Sequence, residues 1–430
     1  IACLVPGSVF NGHHHERLRQ REFLSSKRPV ALEITEVWQV APGTFKYPGA
    51  AIIGRKRADA AGLATTPVAG FLATPDTLEP VEFSIRRIGT KRTAWVIEKE
   101  GTPVAASGDA AVPPQGADLM PRTAVCVEIV DKAGAEWRVD TPQHGSVWRF
   151  TVKAAKELKD GRFTGRAAPA FIHSMAQSEN LLPFVLGPQR APIAIPAIRE
   201  KDGSWRIVDE KEIRGMGLTE TARRFQAINQ RLEAVGQGKT LQQRIDERGK
   251  LTKQIIGKQG GLVLSGAGGK HICAAYVPAK EARSLAIDQT LYWQIFDDED
   301  QAWYVTGMLN SHAMTEAISP FNPKGDFGER HIHTLPYRMM PPYDPFNDDH
   351  IRIGALARDI AKAAQAIIKS DAYLNDPSRA LPARRRKLRE RLRDLLQFQQ
   401  LEEYCATSLG TTAFGDEAEG DGEDSGEAWD

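Results

Sequence analysis

The first 57 residues constrain the fold most, because they alternate between the two hydrophobic periods in a fixed order. The run ACLV from Ala2 to Val5 is short and continuously apolar, the pattern of a strand buried on both faces, and Pro6-Gly7 ends it. After Asn11-Gly12, Leu18, Arg19, Phe23 and Leu24 fall at helical spacing, and Pro29 stops that helix. VALEITEVW and AAIIGRKR then read as two strands joined by the turn-rich APGTFKYPG. Strand, helix, strand, strand is the closing part of an open α/β sheet, and its earlier strands are expected upstream of Ile1.

A chain of 430 residues exceeds the roughly 250 to 300 at which one core stops growing, so two or three domains are expected. From about 58 to 216 short strands broken by Gly and Pro dominate, among them TAWVIEKEG, TAVCVEIV and WRIVDE. Between Thr219 and Lys258 the periodicity turns helical: Phe225, Ile228, Leu232 and Val235 precede GQGK, and Leu241, Ile245, Leu251 and Ile255 follow it. An antiparallel helical hairpin with a glycine turn is predicted there. Strands resume at LVLSGAGGKHICAAYVP and LYWQIF, and AWYVTGMLNSHAMTEAI reads as one helix. Two amphipathic helices close the chain, one on Ile353, Leu356, Ile360, Ala364 and Ile367, the other on Leu388, Leu392, Leu395 and Leu401.

With 41% apolar and 26% charged residues the chain is neither disordered nor, lacking a run of about 20 apolar residues, membrane-spanning. Cys3, Cys126, Cys273 and Cys405 lie far apart with no metal-binding spacing, which excludes a zinc module and a disulfide scaffold and points to a reducing, cytoplasmic setting. The net charge of +1 conceals a polar layout. Residues 416–430 hold eight acids and no base, so the remainder carries +9 and suits a polyanionic partner, while the tail is expected to be disordered.

Several local motifs fail on chemistry. His13 to His15 point in different directions and have no carboxylate or cysteine companions, so they are not read as metal ligands. GAGGKH at 266–271 lacks the spacing and hydroxyl of a phosphate loop and is read as a hairpin turn with Lys270 at its tip. His331 and His333 alternate as on one face of a polar or DNA-facing strand. PPYD at 341–344 follows Met340, which has no acceptor for a target amine, so it is not a methyltransferase catalytic motif.

What the chain does carry is an ordered set: LVPGSVF, a helix with LRQREFL, EVWQVAPGTFKYPGAAIIGRKR, QGADLMPRTAVCVEIV, and finally AWYVTGMLNSHAM with GERHIHTLPYRMMPPYDP and HIRIGALA. Over about residues 1–370 this order resembles the second half of gamma-type DNA adenine (N-6) methyltransferases of restriction and phage-defence systems. The resemblance implies that 1–57 closes a Rossmann-like methyltransferase sheet. It further implies a β-rich connection at 58–114, a mixed α+β target-recognition domain at 115–345 with its helical hairpin at 219–258, C-terminal helices at 346–410 and the acidic tail at 411–430. It also implies an aromatic against the flipped adenine, Phe45 first, Tyr47 second and Trp38 third, although Phe45 is equally read as packing under the hairpin. Leu309, Asn310, Ser311 and Leu335-Pro336 match the family's closing element of the recognition domain.

The family's donor, S-adenosylmethionine, sits on a glycine-rich turn after the first strand, and this chain has no such turn; GMG at 215–217 and GQG at 236–238 lie outside any sheet pattern. The Asn-Pro-Pro-Tyr motif is absent too. Both are expected upstream of Ile1, leaving here one wall of the active site and most of the DNA reader. Candidate readers are Arg190, Lys270, His271, Lys324, Arg330, His331 and Arg338, with duplex DNA as partner and restriction or phage-defence subunits as further ones. A non-catalytic specificity subunit would look the same from residue 115 onward but would not need the first 57 residues. A third reading makes ARRRKLRERLRD a partner- or RNA-binding arm; a solvated charged helix face explains it as well.

Overall fold

The computed structural model describes residues 2–10, 12, 15–20, 23–25, 28–30, 32–40, 49–56, 67–88, 92–97, 112–142, 163–234, 236, 238–267, 271–318 and 335–410. It divides into two compact units, one from the described residues of 1–112, 311–344 and 402–417, the other from those of 113–310 and 345–401.

The first unit is built on a six-stranded sheet. Its strands are β1 (Ala2–Pro6), β4 (Leu32–Val40), β5 (Gly49–Lys56), β6 (Val68–Ala73), β7 (Leu78–Ile88) and β8 (Arg92–Ile97), in the order β1-β5-β4-β6-β7-β8. Among the described residues β2 (Phe23–Ser25) and β3 (Arg28–Val30) pair with each other alone. The sheet carries on past residue 57, the expected boundary. Ile34 and Val37 are both buried although three apart, because a bulge between Ile34 and Glu36 resets the alternation and keeps Glu36 off the core face. Ala50, Ile52 and Val68 join them, and Phe10, Phe83 and Trp95 fill the layer beneath, Phe10 lying 5.2 Å from Phe83. Gly70 permits this closeness: a Cβ there would stand 1.9 Å from the Val37 carbonyl and 2.8 Å from the Phe83 ring.

Two expectations fail in this unit. The helix predicted through Leu24 spans only Glu16–Arg19, and Phe23 and Leu24 belong to β2, since Pro29 and the adjoining residues suit an edge hairpin better than a second turn. ACLV forms the predicted strand, yet β1 is exposed along most of its length, with Leu4 72% exposed, because among the described residues nothing pairs with its outer edge.

The second unit holds small sheets rather than one. β9 (Glu128–Asp131), β10 (Trp137–Asp140) and β11 (Gly165–Ala167) form one, β12 (Ile172–Ala176), β15 (Pro192–Ala194) and β20 (Leu285–Ile287) another, and β18 (Gly261–Gly266), β19 (Ala274–Pro278) and β21 (Leu291–Phe296) a third. The pairs β13 (Leu181–Leu182) with β14 (Val185–Leu186), and β16 (Ala197–Arg199) with β17 (Trp205–Ile207), complete them. Phe171, Phe225, Ile228 and Leu232 lie in one core; Leu262, Leu264, Val277 and Trp293 lie in another.

β18 and β19 form the predicted hairpin around GAGGKH. TAVCVEIV is part helix, Arg122–Val125, before the strand Glu128–Asp131, because Arg122 turns inward to Asp288. The helical hairpin has one long arm, Thr219–Ala234, but its return stops after Leu241–Ile245. Asp246 ends it: its Oδ1 accepts from the Leu251 and Thr252 amides at 3.0 and 2.8 Å, and Arg248 takes φ 60°. The helix expected through Ile318 breaks at Ser311, whose hydroxyl starts the second segment by accepting from the Met314 amide at 3.1 Å. The last helix is likewise two, Leu381–Arg393 and Leu396–Leu409. Asp348–Ser370 is a single helix as predicted and packs on Glu299–Asn310, where a Cβ on Gly307 would come within 3.0 Å of Ile353.

Candidate functional site

In the first unit the candidate surface is the β1 end of the sheet. β5 runs antiparallel to both neighbours, Leu4 and Trp38 each pairing with Ala51, so β1 and β4 are parallel with an antiparallel strand between them. Ala2, Cys3, Leu4, Trp38, Ala51 and Ile53 line a shallow apolar depression there. Trp38 is held in place, its indole N–H donating to Glu36 Oε2 at 2.9 Å and its ring edge-on to Phe71.

The chain leaving β1 is clamped by a fully buried cation. Arg19 Nη1 donates to the Val9 carbonyl at 2.6 Å, Nη2 to the Gly12 carbonyl at 2.8 Å and Nε to Thr93 Oγ1 at 3.1 Å. Glu16, 3.1 Å from Arg19, balances its charge and accepts from the Thr93 amide at 2.7 Å. Burying a guanidinium is costly unless its donors are met, and this set meets them. Phe45 and Tyr47 lie outside the described residues; the connection carrying them leaves β4 at Val40 and enters β5 at its direct partner, Gly49.

Of the candidate readers, Lys270, Lys324, Arg330 and His331 lie outside the described residues, as does the acidic tail, with His13, His14 and His333. Arg190 Nη2 pairs with Glu281 Oε1 at 2.5 Å, and its side chain is 15% exposed. His271 lies between β18 and β19 in the chain, and Arg338, half-buried, lies in the last turn of the short helix Pro336–Met339. The structure brings none of these three together. The arm reading of ARRRKLRERLRD is corrected as well, because Arg384, Arg385 and Arg389 point inward. Arg384 caps the Leu374 carbonyl, Arg385 those of Leu181 and Ser178, and Arg389 that of Ile272, at 2.8–3.0 Å.

Sequence reasoning missed a polar group in the second unit. Gln115 and Asp118 lie on a segment held against Asp288 and Tyr292 by isolated bridges, and a Cβ on the intervening Gly116 would sit 2.3 Å from the Asp288 carbonyl. Lys250 Nζ donates to Gln115 Oε1 at 3.4 Å, Gln115 Nε2 to the Gln289 carbonyl at 2.5 Å, and Gln289 Nε2 to Asp118 Oδ1 at 3.2 Å. Burial, then Asp288, raises the Asp118 carboxyl, while Arg244, Arg122 and Lys250 pull it back. Beneath lies the buried Arg122–Asp288 ion pair at 2.9 Å. These residues come from segments up to 174 positions apart and form no linear motif.

Among the described residues no group of three His, Cys, Asp or Glu side chains could hold a metal. Burial pushes the Cys126 thiol up to about 12, so it is inert. The glycines of GMG and GQG among the described residues form no donor-binding turn: Gly215 ends a helix, and Gly217 and Gly236 each lie just beyond one. No helix of the described residues is long and apolar enough to cross a membrane.

No family model and no curated protein matches the chain. Among solved structures it is similar to the Type IIL restriction-modification enzyme MmeI in complex with DNA, with a TM-score of 0.48 and 12% identity over 96% of this chain and 47% of that one. The chain thus spans about half the length of that enzyme.

Proposed function

We propose that this chain is the carboxy-terminal part of a site-specific DNA adenine methyltransferase, carrying the end of the catalytic sheet and the DNA-reading region. The observation behind this reading is β5 held antiparallel between the mutually parallel β1 and β4, with β1 apolar and unpaired on its outer side among the described residues. An apolar run of that kind is stable where further strands extend the sheet on its open side and both faces are covered. Strand, helix and returning hairpin is also the order in which the catalytic sheet of the gamma-type enzymes ends. A specificity subunit that only reads DNA has no use for such an edge.

On this reading the donor is held by strands added at β1, and no step through it is assigned to these residues. The chain's own part is to receive the base. An exocyclic amine is reached only after its nucleotide leaves the stack, and an aromatic such as Phe45 replaces stacking worth about 1 to 3 kcal/mol. Arg19 holds the loop after β1 in place through the Val9 and Gly12 carbonyls.

The test is transfer of a labelled methyl group from S-adenosylmethionine to duplex DNA, by the chain alone and by the chain joined to the residues encoded before it. Activity only in the joined protein, on adenine N6, is expected. Saturable donor binding by the chain alone in calorimetry would overturn this placing of the active site.

A further inference from the structure

We infer that the turn-rich segment from Arg244 to Lys258, together with Gln115, Asp118 and Gln289, forms a duplex-DNA contact face, the cations meeting phosphates and the amides and carboxylate meeting base edges. The inference rests on the DNA-reading role proposed above and names the residues that perform it, none of which sequence reasoning nominated.

The charge balance of this segment is lopsided. Arg244, Arg248, Lys250, Lys253 and Lys258 face only Asp246 and Glu247 within it. Asp246 is occupied by the amides of Leu251 and Thr252 and by the Thr252 hydroxyl, and Glu247 by Lys239 at 2.8 Å. Arg248, Lys253 and Lys258 are exposed and have no ion pair among the described residues. Backbone geometry brings Arg248 and Lys253 together: Arg248 at φ 60° and Gly249 at φ 69° fold the chain into a knuckle, closed by Lys253 Nζ on the Arg248 carbonyl at 3.0 Å. Ile255, 53% exposed, is a lone apolar residue there and too little for a membrane anchor.

What distinguishes this patch from a merely solvated one is its neighbour. Lys250 links it to Gln115, and through Gln289 to Asp118, so cations adjoin two amides and a carboxylate in one half-exposed chain of hydrogen bonds. Glutamine pairs with adenine through a donor and an acceptor together, and aspartate accepts from cytosine. Phosphate contacts position a protein on the duplex and base contacts specify sequence; this face offers both side by side.

The experiment is fluorescence anisotropy of the whole chain with a 30-base-pair duplex of randomised core, titrated at several salt concentrations. Replacing Arg248→Ala, Lys253→Ala and Lys258→Ala together should weaken binding at least tenfold at low salt and flatten the salt slope by roughly 0.9 log units for each phosphate no longer neutralised. Gln289→Ala should leave that slope unchanged while the duplexes selected from the pool lose a preferred base. The triple variant should melt as the parent does, the three cations being exposed. If the parent binds DNA and the triple variant retains its affinity and slope, this face is wrong while the DNA-reading role stands; a parent that binds no duplex overturns both. Tighter binding to a duplex RNA of the same length would overturn the commitment to DNA.

Discussion

Asn310 completes the edge of β19 by pairing with Ala274 as a strand would: its Oδ1 accepts from the Ala274 amide at 3.1 Å and its Nδ2 donates to the Ala274 carbonyl at 2.9 Å. The same Nδ2 donates to the Thr306 carbonyl, so the last turn of one helix is tied to a sheet edge. The Leu309-Asn310-Ser311 element is therefore a latch, Asn310 holding the sheet and Ser311 starting the next helix.

Asn310→Leu should lower stability by roughly 1 to 3 kcal/mol, since the buried Ala274 amide loses its acceptor. Asn310→Asp should not rescue it, because a carboxylate keeps the acceptor but loses both donated bonds and buries a charge. Thermal melting of the two variants checks this; a melting temperature for Asn310→Asp equal to the parent's would contradict the latch.

The buried Arg122–Asp288 pair should be costly to break from one side. Asp288→Asn leaves a nearly inaccessible guanidinium without its counter-charge, an effect of about 3 to 5 kcal/mol. Arg122→Met combined with Asp288→Asn should cost less than the sum of the single changes, and a denaturant double-mutant cycle measures the coupling. Additive costs would mean the two charges are solvated separately.

Acid should destabilise the second unit through His173. Burial lowers its pKa to about 4, and its Nε2 lies 3.0 Å from the Ala197 carbonyl with the ring 4.6 Å from Trp205. The unfolded chain binds the proton near pH 6.5 and the folded one only near 4, so the contribution is complete above about 6.5 and declines as pH falls through that interval. His173→Gln should flatten the melting temperature between pH 6.5 and 4; an unchanged profile would assign the acid limb to other groups.

In the full-length parent, Phe45→Ala should reduce methylation of a paired adenine far more than of an adenine opposite a mismatch, which gives up less stacking on leaving the duplex. Phe45→Trp should retain much of the activity and Phe45→Leu should not. Equal losses on matched and mismatched duplexes, or melting that falls in step with activity, would make Phe45 a packing residue and pass the role to Tyr47.

Deleting residues 416–430 removes eight negative charges and should tighten non-specific DNA binding, most visibly at low salt, where the basic body is least screened. Unchanged affinity and slope in the anisotropy titration would mean that the tail does not compete for the basic surface.

Periodicity and punctuation by themselves determined the strand of ACLV, the hairpin strands Leu32–Val40 and Gly49–Lys56, the paired strands flanking GAGGKH and the long helix Asp348–Ser370. Those features depend on residues within a dozen positions of one another, which is the range over which a repeat of two or of 3.6 is legible. Only the tertiary structure decided what the charged residues do. Arg190 and Arg384 look alike in sequence to any surface arginine, but one meets Glu281 and the other the Leu374 carbonyl. The Gln115, Asp118 and Gln289 group likewise exists only because Gly116 lets two distant segments touch. A local pattern sets which face of an element is apolar. Whether a cation ends in water, on a carboxylate or over an open carbonyl depends on which chain ends the fold carries to it, and no spacing along the chain records that.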